Sequence, residues 1–220
     1  RFDVPVGLHF LHISHTLEGR SGVPQLLASI AAAEKALPGH KFVTLTASEY
    51  ESYLLGAQGA PSLLGNGLIY ADERIWKPSP PLFAGLRVYD ALYAARLNDN
   101  KRHELAAGIE SLMLVYPHSL GESQDAALER VKRLLPQAHF VNHEVGHGKY
   151  RFFDLKTMAG IFAHGRVGLC LSAFEGCMRS SMEYLLCGMP IVSTRSIGGR
   201  DRYFVGRYCR IVDDDASAVA

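Results

Sequence analysis

The hydrophobic residues in the second half of the chain form short unbroken runs, separated by longer segments of helical spacing. The runs cover Tyr89–Ala94, Leu112–Tyr116, Val167–Leu171 and Pro190–Thr194. Strands that are apolar at every position are typical of a parallel sheet with both faces covered. Between two of them, Glu122–Leu135 has apolar residues near helical spacing. This alternation predicts an α/β fold with a Rossmann-like parallel sheet and helices on both faces.

Weaker patterns complete the prediction. Further strands are expected at Lys41–Leu45, Ser62–Leu64, His139–Asn142 and Cys209–Val212. Further helices are expected at Gln25–Leu37, Ser48–Leu55 (with Ser48 as N-cap and Gly56 as the stop), 101–110, Leu155–Ala163 and Met178–Leu186.

The proline-rich segment Lys77–Pro81 is the best candidate for a linker. It divides the chain into a partial amino-terminal domain with its linker, residues 1–80, and a Rossmann-like domain, residues 81–220. The chain does not begin with Met, and Asp213–Ala220 reads as the first turn of a helix without a body. We therefore expect a fragment of a longer protein.

Composition narrows the function classes. With 48% hydrophobic residues, 20% charged residues and a net charge of +1, the chain resembles a globular protein and has no charge footprint for a nucleic acid. No apolar run approaches the length of a transmembrane helix. The four cysteines contain no Cys-x-x-Cys pair, which favours reduced, buried thiols and a cytoplasmic location.

Two acidic residues flank the start of the helix that follows the run Val167–Leu171. Glu175 lies in the loop, where the amides of a helix N-terminus attract anions and hydroxyl-rich ligands. Glu183 lies within the helix at the border of its apolar face, where a carboxylate can accept hydrogen bonds from a ribose diol. Arg179 precedes Glu183 by four residues, so these two also fit a solvated ion pair worth about 0.2–0.5 kcal/mol.

A cluster of cations follows the strand Tyr89–Ala94. Arg96, Lys101 and Arg102 stand where the carboxyl end of a central strand is expected. In open parallel sheets, ligands bind at the carboxyl ends of the strands. Arginine can bind a diphosphate through two parallel hydrogen bonds, and lysine adds a point charge. The same residues also fit an ordinary solvated loop.

Together these segments resemble the retaining group 1 glycosyltransferases with the GT-B fold, glycosyltransferase family 4. The likeness covers residues 86–220 and, more weakly, Ser48–Glu51 and 66–78 at the end of an acceptor-side domain. The family motifs are matched, in chain order, by Arg96 and Lys101 (an Arg followed by a Lys), Glu175 and Glu183 (Glu-x7-Glu), Gly188–Pro190 (Gly-x-Pro) and Gly198–Gly199 (a Gly-Gly pair).

The resemblance implies a role for each residue. Arg96 and Lys101 would neutralise the donor diphosphate and stabilise it as leaving group, Glu175 would position the transferred sugar, and Glu183 would hold the ribose hydroxyls. The remaining donor-binding residues that it implies are Gly176, Cys177, Met178, Arg179, Gly198 and Gly199. Cys177 and Met178 stand where the family often has an aromatic residue and a glycine. Arg179 is also unusual there. These departures bear on the identity of the sugar more than on the nucleotide site.

The resemblance also implies the reaction and its partners. The enzyme would be hexosyltransferase-like, would take a nucleoside diphosphate sugar as donor and would need no metal or other cofactor. The acceptor would be a carbohydrate or a lipid-linked glycan, which allows peripheral membrane association of the full-length protein. Whether the fragment is active by itself stays open. His9, His12 and His15 are candidates on the acceptor side, although ordinary core or surface positions are the favoured explanation for them.

One motif favours a different class of enzyme. His143-Glu144-Val145-Gly146-His147 matches the His-Glu-x-x-His pattern, which on a helix places two imidazoles on one face for zinc. Gly146 and Gly148 each disfavour a helix by about 1 kcal/mol, which weakens this zinc peptidase hypothesis. The sequence is also compatible with a different GT-B enzyme, such as an epimerase or phosphorylase, and with a module that binds a sugar nucleotide without turnover.

Overall fold

The computed structural model describes residues 7–13, 16–18, 22–65, 71–80, 88–117 and 124–220. The chain forms two compact units. The first unit contains Arg1–Tyr70, Phe174–Met178 and Ser196–Tyr203, and the second contains Ala71–Ala173, Arg179–Arg195 and Phe204–Ala220. Some residues of the sequence analysis lie outside the described ones, namely His15, Pro81, Glu122 and residues 66–70 and 86–87 of the family likeness.

The first unit contains a three-stranded parallel sheet in the order β1-β2-β3. Its strands and helices are β1 (Gly7–His12), α1 (Gly22–Ala36), β2 (His40–Thr46), α2 (Glu49–Gly56) and β3 (Ser62–Leu64). A small core of Leu17, Val23 and Leu55 packs beneath them. The sequence analysis did not predict β1, since its residues are half-buried or exposed and give no continuous apolar run.

The start of α2 confirms a predicted cap. Ser48 has an extended backbone, and its hydroxyl accepts a hydrogen bond from the Glu51 amide at 3.2 Å. The helix extends to Gly56, the residue at which the sequence predicts its end. A side-chain oxygen at this position satisfies one of the backbone amides that a helix leaves unpaired in its first turn.

The second unit is built on a six-stranded parallel sheet in the order β6-β5-β4-β7-β8-β9. The strands are β4 (Tyr89–Ala94), β5 (Leu112–Val115), β6 (His139–Phe140), β7 (Gly165–Cys170), β8 (Ile191–Thr194) and β9 (Cys209–Val212). The chain runs outward from β4 in one direction and then from β7 in the other. The strand order therefore reverses between β4 and β7, which is the position where doubly wound sheets bind ligands.

The helices of this unit flank the sheet and confirm the predicted α/β class. They are α3 (Gln124–Leu134), α4 (Val141–Glu144), α5 (Leu155–Phe162), α6 (Arg179–Leu186) and α7 (Ala216–Val219). The segment Lys77–Pro80 contains neither helix nor strand.

Two local predictions were wrong. Residues 101–110 do not form a helix but part of two 3-10 turns, Asp99–Lys101 and His103–Ala106, because Arg102 between them has a left-handed backbone with φ 48°. The strand expected at His139–Asn142 ends after two residues, and the chain then turns into α4.

Candidate functional site

The loops after β4 and β7 lie side by side at the point where the strand order reverses. The Ala173 amide donates to the Asn100 carbonyl at 3.2 Å. One step along each loop, Lys101 Nζ donates to Ser172 Oγ at 3.0 Å, and Ser172 is fully buried. Lys101 is therefore held at the carboxyl edge of the sheet, in the crevice where this fold class places ligands.

Helix α6 is attached to the end of β4 by two contacts with one residue. The Ala94 amide donates to Tyr184 Oη at 2.6 Å, and Ser180 Oγ donates to the Ala94 carbonyl at 3.1 Å. Arg96 follows two residues later and is exposed. Helix α6 and the cation-bearing loop are thus attached to the same strand end.

A close approach of helix and strand explains why α6 can lie there. A Cβ added to Gly168 of β7 would stand 2.3 Å from the Tyr184 ring, which is fully buried. Glycine removes the side chain that would otherwise hold the two elements apart. The Tyr184 ring also packs against Phe162 of α5, with ring centroids 4.9 Å apart.

Glu183 is a half-buried acid on α6. Burial raises the pKa of its carboxyl to about 7, against the opposing charge of Arg179. Within the described ranges, no side-chain hydrogen bond to this carboxylate is found. A half-buried carboxylate without a hydrogen-bond donor costs free energy, because no hydrogen bond replaces the water that its charged form loses. Arg179 itself is exposed.

The first unit brings Glu175 together with the glycine pair. The Glu175 amide donates to the Ile197 carbonyl at 2.9 Å, and the Glu175 carbonyl accepts from the Arg200 amide at 3.2 Å. Gly198 has φ +107°, and a Cβ there would stand 2.6 Å from the Glu175 carbonyl oxygen. Gly198 therefore requires glycine for both its backbone angle and its packing.

Gly199 packs directly on the end of β2. A Cβ added to it would lie 2.0 Å from the Ala47 carbonyl oxygen. The Ala47 amide in turn donates to Glu51 Oε2 at 2.7 Å. Packing against protein atoms is sufficient to explain why this position is glycine, and its predicted contact with a donor stays a prediction.

The fully buried Glu51 collects three hydrogen bonds and was missed by sequence reasoning. Besides the Ala47 amide, it accepts from the Leu17 amide at 2.7 Å and from Thr16 Oγ1 at 3.0 Å, both through Oε1. The spacing Ser48-x-x-Glu51 of a capping box was the available signal. In the structure the Glu51 carboxylate reaches the residue before the cap and a distant loop instead.

The predicted site residues thus form two sets. Four of them belong to the second unit: Arg96 and Lys101 follow the end of β4, and Arg179 and Glu183 lie on α6. Glu175, Gly176, Cys177, Met178, Gly198 and Gly199 belong to the first unit, where Gly176, Cys177 and Met178 are buried.

The zinc peptidase motif lacks the helix that it needs. Helix α4 ends at Glu144, and His147 has a left-handed backbone with φ 52°. His143 instead bonds through Nδ1 to the Tyr116 hydroxyl. In the part of the chain that the structure describes, no three His, Cys, Asp or Glu side chains group as a metal site.

The histidines expected on the acceptor side are only partly described. His9 Nε2 lies 2.7 Å from His40 Nδ1, and the two rings are stacked. His12 is half-buried at the end of β1. Among the described helices, none is long and apolar enough to cross a membrane.

Comparison with known proteins identifies the fold. No family model matches the sequence, and a search of curated proteins found no match. Solved structures do match. Sucrose-phosphate synthase from Thermosynechococcus elongatus shares 17% identity at a TM-score of 0.62, over 96% of this chain and 56% of its own.

Two other structures give the same result. The apo structure of OtsA shares 16% identity at a TM-score of 0.60, over 96% of this chain and 57% of its own. TarM shares 12% identity at a TM-score of 0.59, over 96% of this chain and 42% of its own. All three have the GT-B fold, which confirms the predicted fold class. The chain spans about half the length of these proteins.

Proposed function

We propose that this chain is the donor-binding part of a glycosyltransferase, which transfers a sugar from a nucleoside diphosphate donor to an acceptor with retention of anomeric configuration. The matched structures support the enzyme class, since they are glycosyltransferases. The retaining chemistry is supported by the motif resemblance of Glu175, Glu183, Arg96 and Lys101. We further propose that the acceptor is a carbohydrate or a lipid-linked glycan. The protein would be cytoplasmic, with peripheral membrane association of the full-length protein. The two domains would divide near residue 80.

The observation that carries the proposal is the group of residues around the reversal point of the sheet. Lys101 is fixed at the end of β4 by its bond to Ser172. Glu183 is a half-buried acid whose pKa is raised to about 7 and whose carboxylate is not hydrogen-bonded within the described residues. A diphosphate would pair with the Lys101 amine, and a ribose diol would donate hydrogen bonds to the Glu183 carboxylate. One nucleotide carries both parts.

Each residue contributes a different electrostatic step. As the bond between sugar and diphosphate breaks, negative charge grows on the leaving phosphate oxygen. Arg96 and Lys101 would stabilise that charge, and the bond of Lys101 to Ser172 supports this because it holds the amine in one position beforehand. Protein cations can do here what a divalent metal does elsewhere, so we propose that no metal is needed. Glu175 would hold the transferred sugar by its hydroxyls.

Calorimetric titration of the full chain with UDP, GDP and ADP tests the proposal. We expect one nucleotide to bind, and Lys101→Ala and Glu183→Ala each to weaken it about tenfold or more, since each removes a charged hydrogen bond. Lys132→Ala, which removes an exposed partner of Glu129 on α3, is the matched control and should bind normally. Unchanged affinity in both site variants would contradict the assignment.

A further inference from the structure

Arg102 has a backbone conformation that its residue type disfavours. It lies between the two 3-10 turns with φ 48° and ψ 51°, in the left-handed region. A side chain there costs about 1–2 kcal/mol relative to a right-handed conformation. Such a residue persists only where its surroundings hold it. The source of that support lies in the contacts of its side chain.

The guanidinium of Arg102 crosses the carboxyl ends of three strands. Nε donates to the Leu171 carbonyl, just after β7, at 2.6 Å. Nη2 donates to Thr194 Oγ1 at the end of β8 at 2.6 Å and lies 3.4 Å from the Arg195 carbonyl. Nη1 pairs with Asp214 Oδ2, shortly after β9, at 2.7 Å, and the arginine side chain is only 17% exposed. One side chain from the β4 loop therefore links β7, β8 and β9.

These contacts continue a series between two loops that run in opposite directions. Asn100 pairs with Ala173, Lys101 with Ser172, and Arg102 with Leu171. Lys101 is the middle member of this series. The contacts on either side of Lys101 therefore help to hold the two loops in register around its amine.

We infer that Arg102 is a positioning residue, which holds Lys101 and the 171–173 segment in the geometry that binds the donor diphosphate. The inference rests on the proposed function. The guanidinium of Arg102 donates its hydrogen bonds to protein acceptors, so Arg102 acts through Lys101 rather than on the ligand. Its forked geometry is essential, because a single ammonium cannot reach Leu171, Thr194 and Asp214 together.

The test compares two substitutions that keep different properties of Arg102. Arg102→Lys keeps the charge and loses the fork. Arg102→Gly loses the side chain but relieves the backbone strain, so the variant is expected to fold. Both should weaken binding of the nucleotide that the wild type binds, and of inorganic pyrophosphate, by about 10- to 100-fold, a loss of the size seen when a residue that orients a metal ligand is removed.

Guanidinium rescue separates positioning from general stability. Adding guanidinium ion to Arg102→Gly should restore part of the lost affinity, corrected for its effect on the wild type. Arg166→Lys is the control for the charge-conserving change, since Arg166 makes an exposed ion pair with Asp90 at 3.0 Å. That variant should bind as the wild type does.

The possible outcomes are distinguishable when Lys101→Ala is measured alongside. If Lys101→Ala weakens binding but Arg102→Lys does not, the inference is overturned and the proposed function stands. If guanidinium raises the melting temperature of Arg102→Gly without recovering affinity, Arg102 is structural only and the inference is also overturned. If Lys101→Ala binds normally, Arg102 has no donor-binding lysine to position and the inference is overturned; if Glu183→Ala also binds normally, the proposed function fails as well.

Discussion

In each of the two units a charged side chain joins backbone segments that are distant in sequence, and the two charges have opposite sign: Glu51 is fully buried and Arg102 is half-buried. In the first unit, Glu51 accepts hydrogen bonds from the Leu17 and Ala47 amides and from Thr16. In the second unit, Arg102 donates to oxygens at the ends of three strands. Glu51 accepts hydrogen bonds from backbone amides near the start of a helix, where amides lack partners. Arg102 donates to oxygens at the carboxyl ends of strands, where carbonyls lack partners.

The two side chains also differ in how far along the chain they reach. One partner of Glu51 is only four residues away, at Ala47. The side-chain contacts of Arg102 span 69 to 112 residues. The contacts of Glu51 are therefore partly local. The side-chain contacts of Arg102 are all between distant segments, so they form only when the sheet has assembled. Disrupting each one separately tests whether the units depend on these residues to different degrees.

We expect the largest effect from Glu51→Ala. The change leaves two buried amides without acceptors, at a cost of about 4 kcal/mol of unfolding free energy. Hydrogen exchange at the Leu17 and Ala47 amides should accelerate. Glu49→Ala on the same helix, which removes only a contact of the exposed Glu49 with Arg202, is the control and should exchange normally. Protection that survives in the Glu51 variant would show that the carboxylate is dispensable.

Gly168→Ala should destabilise the second unit by about 2–3 kcal/mol. The new methyl group would collide with the buried Tyr184 ring, and neither β7 nor α6 can move freely. Trp76, the one tryptophan of the chain, is buried against Phe162 in this unit and reports its unfolding by fluorescence.

The control for this change is Gly206→Ala, where an added methyl group has open space. Comparing Trp76 fluorescence in Glu51→Ala and Gly168→Ala sharpens the contrast between the units. Trp76 lies in the second unit. If Glu51→Ala in the first unit lowers the midpoint of the Trp76 transition as Gly168→Ala does, the two units unfold together rather than separately.

Tyr184→Phe should cost about 1–2 kcal/mol. It leaves the buried Ala94 amide without its acceptor while keeping the aromatic ring in place. Denaturant unfolding followed by Trp76 fluorescence measures the change. Tyr208→Phe, at an exposed tyrosine, should have no measurable effect. Equal midpoints for the two variants would mean that water replaces the Tyr184 hydroxyl.

The smallest effect is on ligand binding and depends on pH. The pKa of Glu183 is raised to about 7, and only its ionised form accepts hydrogen bonds from a diol. Affinity for a nucleoside diphosphate sugar should therefore fall about tenfold from pH 8 to pH 6. Glu183→Gln cannot titrate and should bind equally at both values. If the affinity of the wild type does not change between these pH values, Glu183 does not bind the ribose as proposed.

Residues near each other in the chain account for most of what could be predicted. The apolar runs of β4, β5, β7 and β8 were located within a residue or two, and Ser48 was correctly assigned as a cap. The prediction for residues 101–110 failed because a non-glycine residue rarely adopts a positive φ, so no local pattern announces the break at Arg102.

The same limit explains what was missed at the site. Gly168 in an otherwise apolar strand was a signal of close approach, but its partner Tyr184 lies 16 positions further on and no spacing rule connects them. Likewise, the motif resemblance assigned roles to Arg96 and Lys101 and none to Arg102. Only Arg102 turned out to use its charge on three strand ends within the protein.

The sequence by itself determined the α/β class, the order of the strands along the chain and the residue types available at their carboxyl ends. These follow from hydrophobic periodicity and local backbone preferences, which act over a few residues. The tertiary structure decided the strand order within the sheet, the raised pKa of Glu183 and the different hydrogen-bond partners of Lys101 and Arg102. Those properties depend on desolvation and on hydrogen bonds between segments far apart in the chain, which exist only after the strands have assembled.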